Sequence, residues 1–360
     1  MFQFSCPDVG NQPQIKRICR LCNSSNVIIH QRYRKTVRDS VLSEVEIIRL
    51  RCKSCKYSFR IYPEGVGDWA QRTKRLIFLG IILYSAGLSY EKCEGFLSGM
   101  LGRRLSSFVT IWRDVQTIGE RLRRSKLSQV RAAKVVVGLD GTYVRVRGRE
   151  QPVLVATNST DGTLVTVSLN NEWQERQLRQ FVQEVAKELG LRNIAGIVTD
   201  DLDTYKLVST RFKLTHQVCL GHVKKNLGKR LAKLKSRIPK PYIERLRSIL
   251  DPPSASGDLL LKDLLRDDKL WRRGKYNKHW VSYQMIIGDL LRNWHNYTAY
   301  LRNPRDSLPT TNNVTERAIG RSKIRYKLTR GFKSQEAVLN FFFLTQYTGM
   351  HQFEKIASVC

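Results

Sequence analysis

In KVVVGLDGTYVRV, residues Lys134–Val146, three valines, a glycine and a leucine run straight into Asp140. An apolar, β-branched run of this length reads as a strand buried on both faces. A carboxylate does not belong inside such a strand, because burying it is costly unless it is paired or binds a metal. Asp140 is therefore either a turn carboxylate at the strand's rim, ahead of Gly141, or a residue kept for chemistry. Partner carboxylates further along the chain decide between the two.

Downstream, Pro152–Asn158 (PVLVATN) and Thr163–Leu169 (TLVTVSL) flank Ser159-Thr160-Asp161-Gly162. An Asp-Gly pair between two β-rich runs is a hairpin signal, so three antiparallel strands open this domain. Trp173–Leu189 is expected as an amphipathic helix, with Leu178, Phe181, Val182, Val185 and Leu189 on one face. Ile194–Thr199 (IAGIVT) is a further apolar strand that ends in Asp200-Asp201; Thr204–Phe212 reads as a helix and Thr215–Leu220 as a short strand. The order β-β-β-α-β-α-β is that of the ribonuclease-H-like fold, in which the first and fourth strands lie side by side. Asp140 and Asp200 are then expected as neighbours. Asp201 and Asp203 compete for the second position, and Asp200 is preferred because it directly ends the apolar run.

Two carboxylates a few ångströms apart raise each other's pKa unless a cation sits between them. Magnesium, or manganese in its place, resolves that cost, and two such ions suit chemistry at a phosphodiester. This arrangement calls for a third carboxylate. The best candidate is Glu316, within Leu308–Lys333 (LPTTNNVTERAIGRSKIRYKLTRGFK). Pro309, Thr310 and Thr311 fit a helix start, with Asn312 or Asn313 as its cap. From Arg317 to Lys333 there are seven basic residues and no acidic one. Lys323 lies two helical turns beyond Glu316 on the same face. Arg317, Arg321 and Lys323 are expected to contact DNA phosphates. A lone Glu here would read as a surface ion pair with a neighbouring Arg; the two strand-end aspartates upstream favour the metal-ligand reading.

Asp140, Asp200 and Glu316, spaced by 60 and then 116 residues, resemble the DDE triad of the cut-and-paste transposases. Val218–Leu227 (VCLGHVKKNL) resembles the C-x-x-H motif that follows the second aspartate in Mutator-like and related bacterial or archaeal insertion-sequence transposases. The resemblance implies that the triad binds two magnesium ions and catalyses strand cleavage and strand transfer. It also implies double-stranded DNA as the partner, both the element's terminal inverted repeats and the target, and a homodimer or higher oligomer. Cys219 and His222 supply only two ligands, too few for a zinc site by themselves. They read as residues that pack beside or position the triad.

The long second spacing indicates an insertion. Lys224–Arg305 carries 20 basic and 7 acidic residues and shows helical spacing at Leu227, Leu231 and Leu234, at Ile243, Leu246, Ile249 and Leu250, and at Val281, Met285, Ile286, Leu290 and Leu291. It reads as all-α, interrupted by the loop Asp251–Gly257 (DPPSASG). Trp271, Trp280 and Trp294 fit either a helical core or stacking on an unpaired base.

The N-terminal third has its own pattern. Cys19-Arg20-Leu21-Cys22 and Cys52-Lys53-Ser54-Cys55 are two C-x-x-C pairs separated by 29 residues, a signal for one tetrahedral structural zinc. Alternation around Val27-Ile28-Ile29 and Val45–Leu50 suggests short antiparallel strands, hence a zinc ribbon; a disulfide framework is the alternative. His30 is a further ligand candidate or an ordinary exposed residue, and Cys6, Cys93 and Cys360 receive no role. Three helices follow, over Ala70–Tyr84, Tyr90–Leu97 with Ser89 as cap, and Ser106–Arg124. This is compatible with a helix-turn-helix or with a small helical bundle. Arg113, with Arg103, Arg104, Arg121, Arg123 and Arg124, favours DNA contact.

The expected fold class is α/β: a ribonuclease-H-like catalytic domain with an all-α insertion, preceded by a zinc ribbon and a helix-turn-helix-like DNA-binding segment. The expected domains are 1–64 (ribbon), 65–128 (helical segment), 132–222 (first part of the catalytic core), 223–305 (insertion) and 306–360 (second part of the core). The balance of 63 basic against 31 acidic residues, +32 in all, points to a polyanionic partner. No apolar run is long enough to span a membrane, and MFQFSCPDVGNQPQ lacks the basic start and apolar core of a signal peptide, so a cytoplasmic, nucleoid-associated protein is expected. The rival readings are a resolvase-like nuclease of the same fold that cleaves without joining, and a non-catalytic zinc-ribbon regulator.

Overall fold

Alternating burial along Glu44–Cys52 makes this strand the centre of the first sheet of the computed structural model, which describes residues 6–68, 70–125, 134–234, 237–266, 278–329, 331–347 and 353–360. The chain divides into two units, Met1–Ser125 with Ser322–Cys360, and Lys126–Arg321.

In the first unit, β1 (Val27–Thr36), β2 (Glu44–Cys52) and β3 (Ser58–Ile61) form an antiparallel sheet in that order. The register slips between Ile29 and Gln31, so the exposed His30 sits at a bulge. Val27, Ile48, Leu50 and Phe59 pack with Cys19 and Cys52 at one end of the sheet, and Val37, Val45, Ile47 and Val66 at the other.

Three helices follow: α1 (Lys74–Ser85), α2 (Tyr90–Leu101) and α3 (Phe108–Ser125). α1 begins later than Ala70 because Arg72 and Thr73 are held in bridges to Arg38 and Val66, and the Thr73 hydroxyl then accepts the Leu76 amide. Ser89 caps α2 by accepting the Lys92 amide at 3.2 Å, as expected, but α2 runs on to Leu101 before Gly102 ends it in the left-handed region. The apolar stripe of α3 (Ile111, Val115, Ile118, Leu122) meets α12 (Gln335–Thr345), whose Val338, Phe341, Phe342 and Leu344 are buried. The segment expected as 306–360 is therefore divided, with 322–360 grouping with the N-terminal residues. A second terminal helix, α13 (Phe353–Val359), also packs on α3.

The second unit is built on β4 (Val135–Val146), the strand with Asp140. β5 (Arg149–Asn158), β6 (Leu164–Ser168), β7 (Ile194–Thr199) and β8 (His216–Val218) complete a five-stranded sheet of order β6-β5-β4-β7-β8. β4 pairs antiparallel with β5 and parallel with β7, so the first and fourth strands do lie side by side. Side chains alternate between faces. Val135, Val137 and Leu139 point to one face and pack with α4 (Glu175–Leu189) and with Tyr205 and Val208 of α5 (Asp203–Arg211). Val136 lies on the other face with Val198, Ala299 and Leu308, and Gly138 and Asp140 share its parity.

Among the described residues the stretch expected as an insertion carries the helices α6 (Leu220–Ala232), α7 (Lys240–Ile249), α8 (Gly257–Arg266), α9 (Lys278–Tyr297) and α10 (Ala299–Arg302). Leu227, Leu231, Leu246, Leu261, Tyr283 and Ile287 are part of a separate apolar core there. Trp280 and Trp294, 4% and 1% exposed, belong to this core, the first of their two readings, and Trp271 lies outside the described residues. Trp280 sits edge-on to Tyr242 and Tyr283, and the Trp294 indole donates to the Ser254 carbonyl at 3.2 Å. Finally α11 (Asn313–Tyr326) carries Glu316 in its first turn. Among the described residues no helix is long and apolar enough to cross a membrane.

Candidate functional site

In the N-terminal unit the four cysteines converge. The segment Cys19–Asn23 closes a turn in which the Asn23 amide donates to the Cys19 carbonyl, and the Cys52 amide donates to Tyr57 across a second turn. Sγ of Cys19 lies 3.5 Å from that of Cys55, and Cys22 Sγ lies 3.7 Å from Cys52 Sγ. All four are free thiols, and all four sulfurs lie within 4.8 Å of one another, close enough to bind a metal such as zinc. The backbone N–H of Cys55 pulls the Cys52 thiol down to about 6, and that of Cys22 pulls Cys19 down, as expected where amides line a thiolate site. His30 is not in this group.

The second site grows from β4. The Asp140 carboxylate accepts the Gly141 amide at 2.8 Å, and its pKa is pushed up to about 8, first by burial and then by the charges of Asp200, Glu172 and Glu316. Gly138 pairs with Val198, so Asp140 and Asp200 stand at equivalent positions on the two parallel strands. Burial raises Asp200 as well, and Glu316 adds to the rise while His222 opposes it. His222 Nδ1 lies 3.1 Å from Asp200 Oδ1 and 3.7 Å from Glu316 Oε1. The sequence-level competitors of Asp200 face elsewhere: Asp201 meets Lys206 at 2.8 Å and Asp203 meets the same ammonium at 3.2 Å from an exposed position.

Glu316 reaches this point because its helix docks closely on β4. A Cβ on Gly138 would fall inside the Thr315 hydroxyl and 2.8 Å from Asn312 Oδ1. Only glycine allows that approach. Of the two candidate caps, Asn312 and Asn313, Asn312 stands just before α11, but its side chain turns to the sheet: Nδ2 donates to the Leu139 carbonyl at 2.8 Å, and its amide donates to Cys219 Sγ at 3.4 Å. The hydroxyls of Thr315 and Thr157 meet at 2.8 Å. The first turn of α11 is thus pinned to the residue before Asp140 and to the cysteine of the C-x-x-H motif.

Cys219, immediately before α6, and His222, in its first turn, lie with Glu316 so that one ligand atom of each falls within 4.8 Å of the others. Asp200 Oδ1 and His222 Nδ1 are both buried without a hydrogen-bond partner.

Glu172 escaped the sequence reading. A Cβ on Gly141 would come within 2.5 Å of both its carboxylate oxygens, so it lies directly on the backbone beside Asp140. Burial raises its pKa, opposed by the fully buried Tyr205, whose hydroxyl donates to Oε2 at 2.9 Å. It sits in the loop Asn170-Asn171-Glu172-Trp173 after β6, where no local pattern marks it.

Arg113 on α3 and Arg317, Arg321 and Lys323 on α11 are exposed. Arg325 is not. It is buried, stacks over the Tyr84 ring at 4.2 Å, and donates to the carbonyls of Tyr84 at 2.6 Å and Leu88 at 2.9 Å. No family model and no curated protein sequence matches the chain.

Proposed function

We propose that the chain is a transposase: a ribonuclease-H-like enzyme that cleaves DNA strands at the ends of a mobile element and joins the freed 3′ ends to target DNA. The observation that carries this reading is the electrostatic proximity of Asp140 on β4, Asp200 just past β7 and Glu316 on α11, where the charges of Asp200 and Glu316 act on Asp140 and that of Glu316 acts on Asp200. Neighbouring carboxylate charges that raise the pKa of Asp140 and of Asp200, with Asp200 Oδ1 buried and without a hydrogen-bond partner, fit a divalent cation. Magnesium or manganese held by these three side chains would neutralise charge on the attacking and leaving oxygens of a phosphodiester.

The chain's own residues prepare that step. Asp140 is mounted on the central strand of the sheet, and Asn312 and Thr315 hold the Glu316 turn against it. Tyr205 fixes Glu172 beside Asp140. Arg317, Arg321 and Lys323 supply phosphate contacts on the helix of Glu316, and Arg113 does so on α3. The four-cysteine ribbon and α1–α3 read the element's ends in the double-stranded DNA, and the protein acts as a homodimer or higher oligomer because two ends are joined together.

The test is magnesium-dependent nicking of supercoiled plasmid, followed by joining of pre-cut ends, taken from the flanks of the coding region, to a target plasmid. Asp140→Asn, Asp200→Asn and Glu316→Gln are each expected to lose about 10³-fold or more in both steps. Undiminished nicking by Asp140→Asn would sink the site. Nicking without any joined product would make the protein a nuclease of the resolvase kind.

A further inference from the structure

We infer that Cys219, His222 and Glu316 form a second cation site, suited to a borderline-soft ion such as zinc, which overlaps the carboxylate site and silences it when filled. A thiol sulfur, an imidazole nitrogen and a carboxylate oxygen lie within 4.8 Å of one another. Tetrahedral zinc, with ligand distances of about 2.0–2.3 Å, spans such a set after small side-chain rotations. His222 Nδ1 is buried, lacks a hydrogen-bond partner, and faces both Glu316 Oε1 at 3.7 Å and Asp200 Oδ1 at 3.1 Å. Asp200 Oδ1, likewise without a hydrogen-bond partner, borders this set through His222.

The backbone builds the set. The Cys219 amide donates to the Thr199 carbonyl at 2.8 Å, next to Asp200, and the Leu220 amide to Thr310 at 2.9 Å, which ties the start of α6 to the strand end and to the approach of α11. The Cys219 sulfur, 1% exposed, accepts the Asn312 amide, while Glu316, 41% exposed, lies at the open side. A hard ion has no use for a thiolate and an imidazole; zinc prefers both. Because Glu316 serves either ion, zinc binding withdraws it from Asp140 and Asp200. The inhibitory half of this inference rests on the proposed function, whereas the binding half does not.

The experiment is a cobalt and zinc titration of the full-length chain, with cobalt as the spectroscopic probe. Two equivalents are expected, one at Cys19, Cys22, Cys52 and Cys55 and one here. The second equivalent should add thiolate-to-cobalt charge-transfer absorption. Cys219→Ser removes that added absorption and weakens the second equivalent by about 100-fold or more, beyond the loss typical of an outer-shell partner. His222→Gln weakens it comparably, and the ribbon's own equivalent persists in both variants as the control for folding. A single equivalent, or a second that survives both substitutions, overturns the site. In the nicking assay, zinc suppresses the magnesium-dependent rate of the wild type. The suppression, each protein being referred to its own zinc-free rate, is relieved in Cys219→Ser. Equal suppression of both proteins overturns the overlap. Absence of nicking under every condition, with the second equivalent still bound, overturns the proposed function and leaves the metal site standing.

Discussion

Gly138 shows how one missing methyl governs the site. Its Cβ position belongs to the Thr315 hydroxyl, so Gly138→Ala must push the first turn of α11, and Glu316 with it, away from Asp140. Overpacking of this kind costs about 1–3 kcal/mol. The larger effect is geometric, since a misplacement of about 1 Å costs catalysis on the order of 10²-fold. Nicking by Gly138→Ala is therefore expected to fall about 100-fold while circular dichroism stays native; an undiminished rate would mean the approach is not needed. Asp39 is the corresponding residue in the other unit. Its side chain is 0% exposed and accepts from the amides of Val41 and Leu42, the Thr73 hydroxyl and the Arg75 guanidinium. Burial pushes its pKa up, but Arg75 and the other donors prevail and hold it at about 2. Its folded pKa is depressed, so its contribution to stability is present above the ordinary carboxylate value of about 4 and is lost as pH falls towards about 2. Asp39→Asn should destabilise the chain by about 3–5 kcal/mol at neutral pH, because Arg75 loses its charge partner. Denaturant melts across that acid range should show a shallower pH slope in the variant than in the wild type.

At the scale of elements, α11 serves two ends. Its first turn presents Glu316, and near its last turn Arg325 donates to the carbonyls of Tyr84 and Leu88, where α1 ends. Carbonyls at a helix C-terminus have no partner within the helix, and a guanidinium there satisfies them and complements the dipole. In the sequence Arg325 is one of seven basic residues in Arg317–Lys333, indistinguishable from those expected to meet DNA. Its burial separates it from them. Arg325→Ala is expected to lower stability by about 2–4 kcal/mol, read by urea unfolding, whereas Lys323→Ala leaves stability within about 0.5 kcal/mol and weakens DNA binding. The strands β4 and β7 were readable as elements, and so was the acid at the end of each. Their adjacency followed from the order of elements, not from either strand alone.

For the molecule as a whole, a formal charge of +32 makes the proposed association with DNA dependent on salt. If 6–10 phosphates are neutralised, affinity for DNA of arbitrary sequence should fall by about 10³–10⁵-fold between about 50 and 200 mM salt. A flat response in a filter-binding or fluorescence-anisotropy titration would argue against a phosphate-tracking surface. The zinc reading makes a prediction confined to one unit. Cys22→Ser, or chelation, should raise hydrogen exchange in β1–β3 to nearly unprotected rates, because the sheet's apolar end is built around Cys19 and Cys52. The strands β4–β8, with a core of their own, should keep their protection.

Local periodicity and spacing along the chain encode several features directly. These are the β-branched run into Asp140, the second run into Asp200, the two C-x-x-C pairs, and the helical stripes of the insertion. Each signal lies within one element, where alternation or an i, i+3 spacing is enough to declare it. Which of these features meet is set by packing between distant segments. Glu172 and Tyr205 carry no local mark and Asn312 reads only as a candidate cap, yet close approach at Gly141 and Gly138 brings Glu172 and Asn312 to the site. Cys219 and His222 looked like two ligands too few until docking of α11 supplied Glu316 as a third. The reason is physical: contacts between residues far apart in sequence depend on which surfaces pack together, and a stripe of apolar residues specifies that it must be covered, not by what.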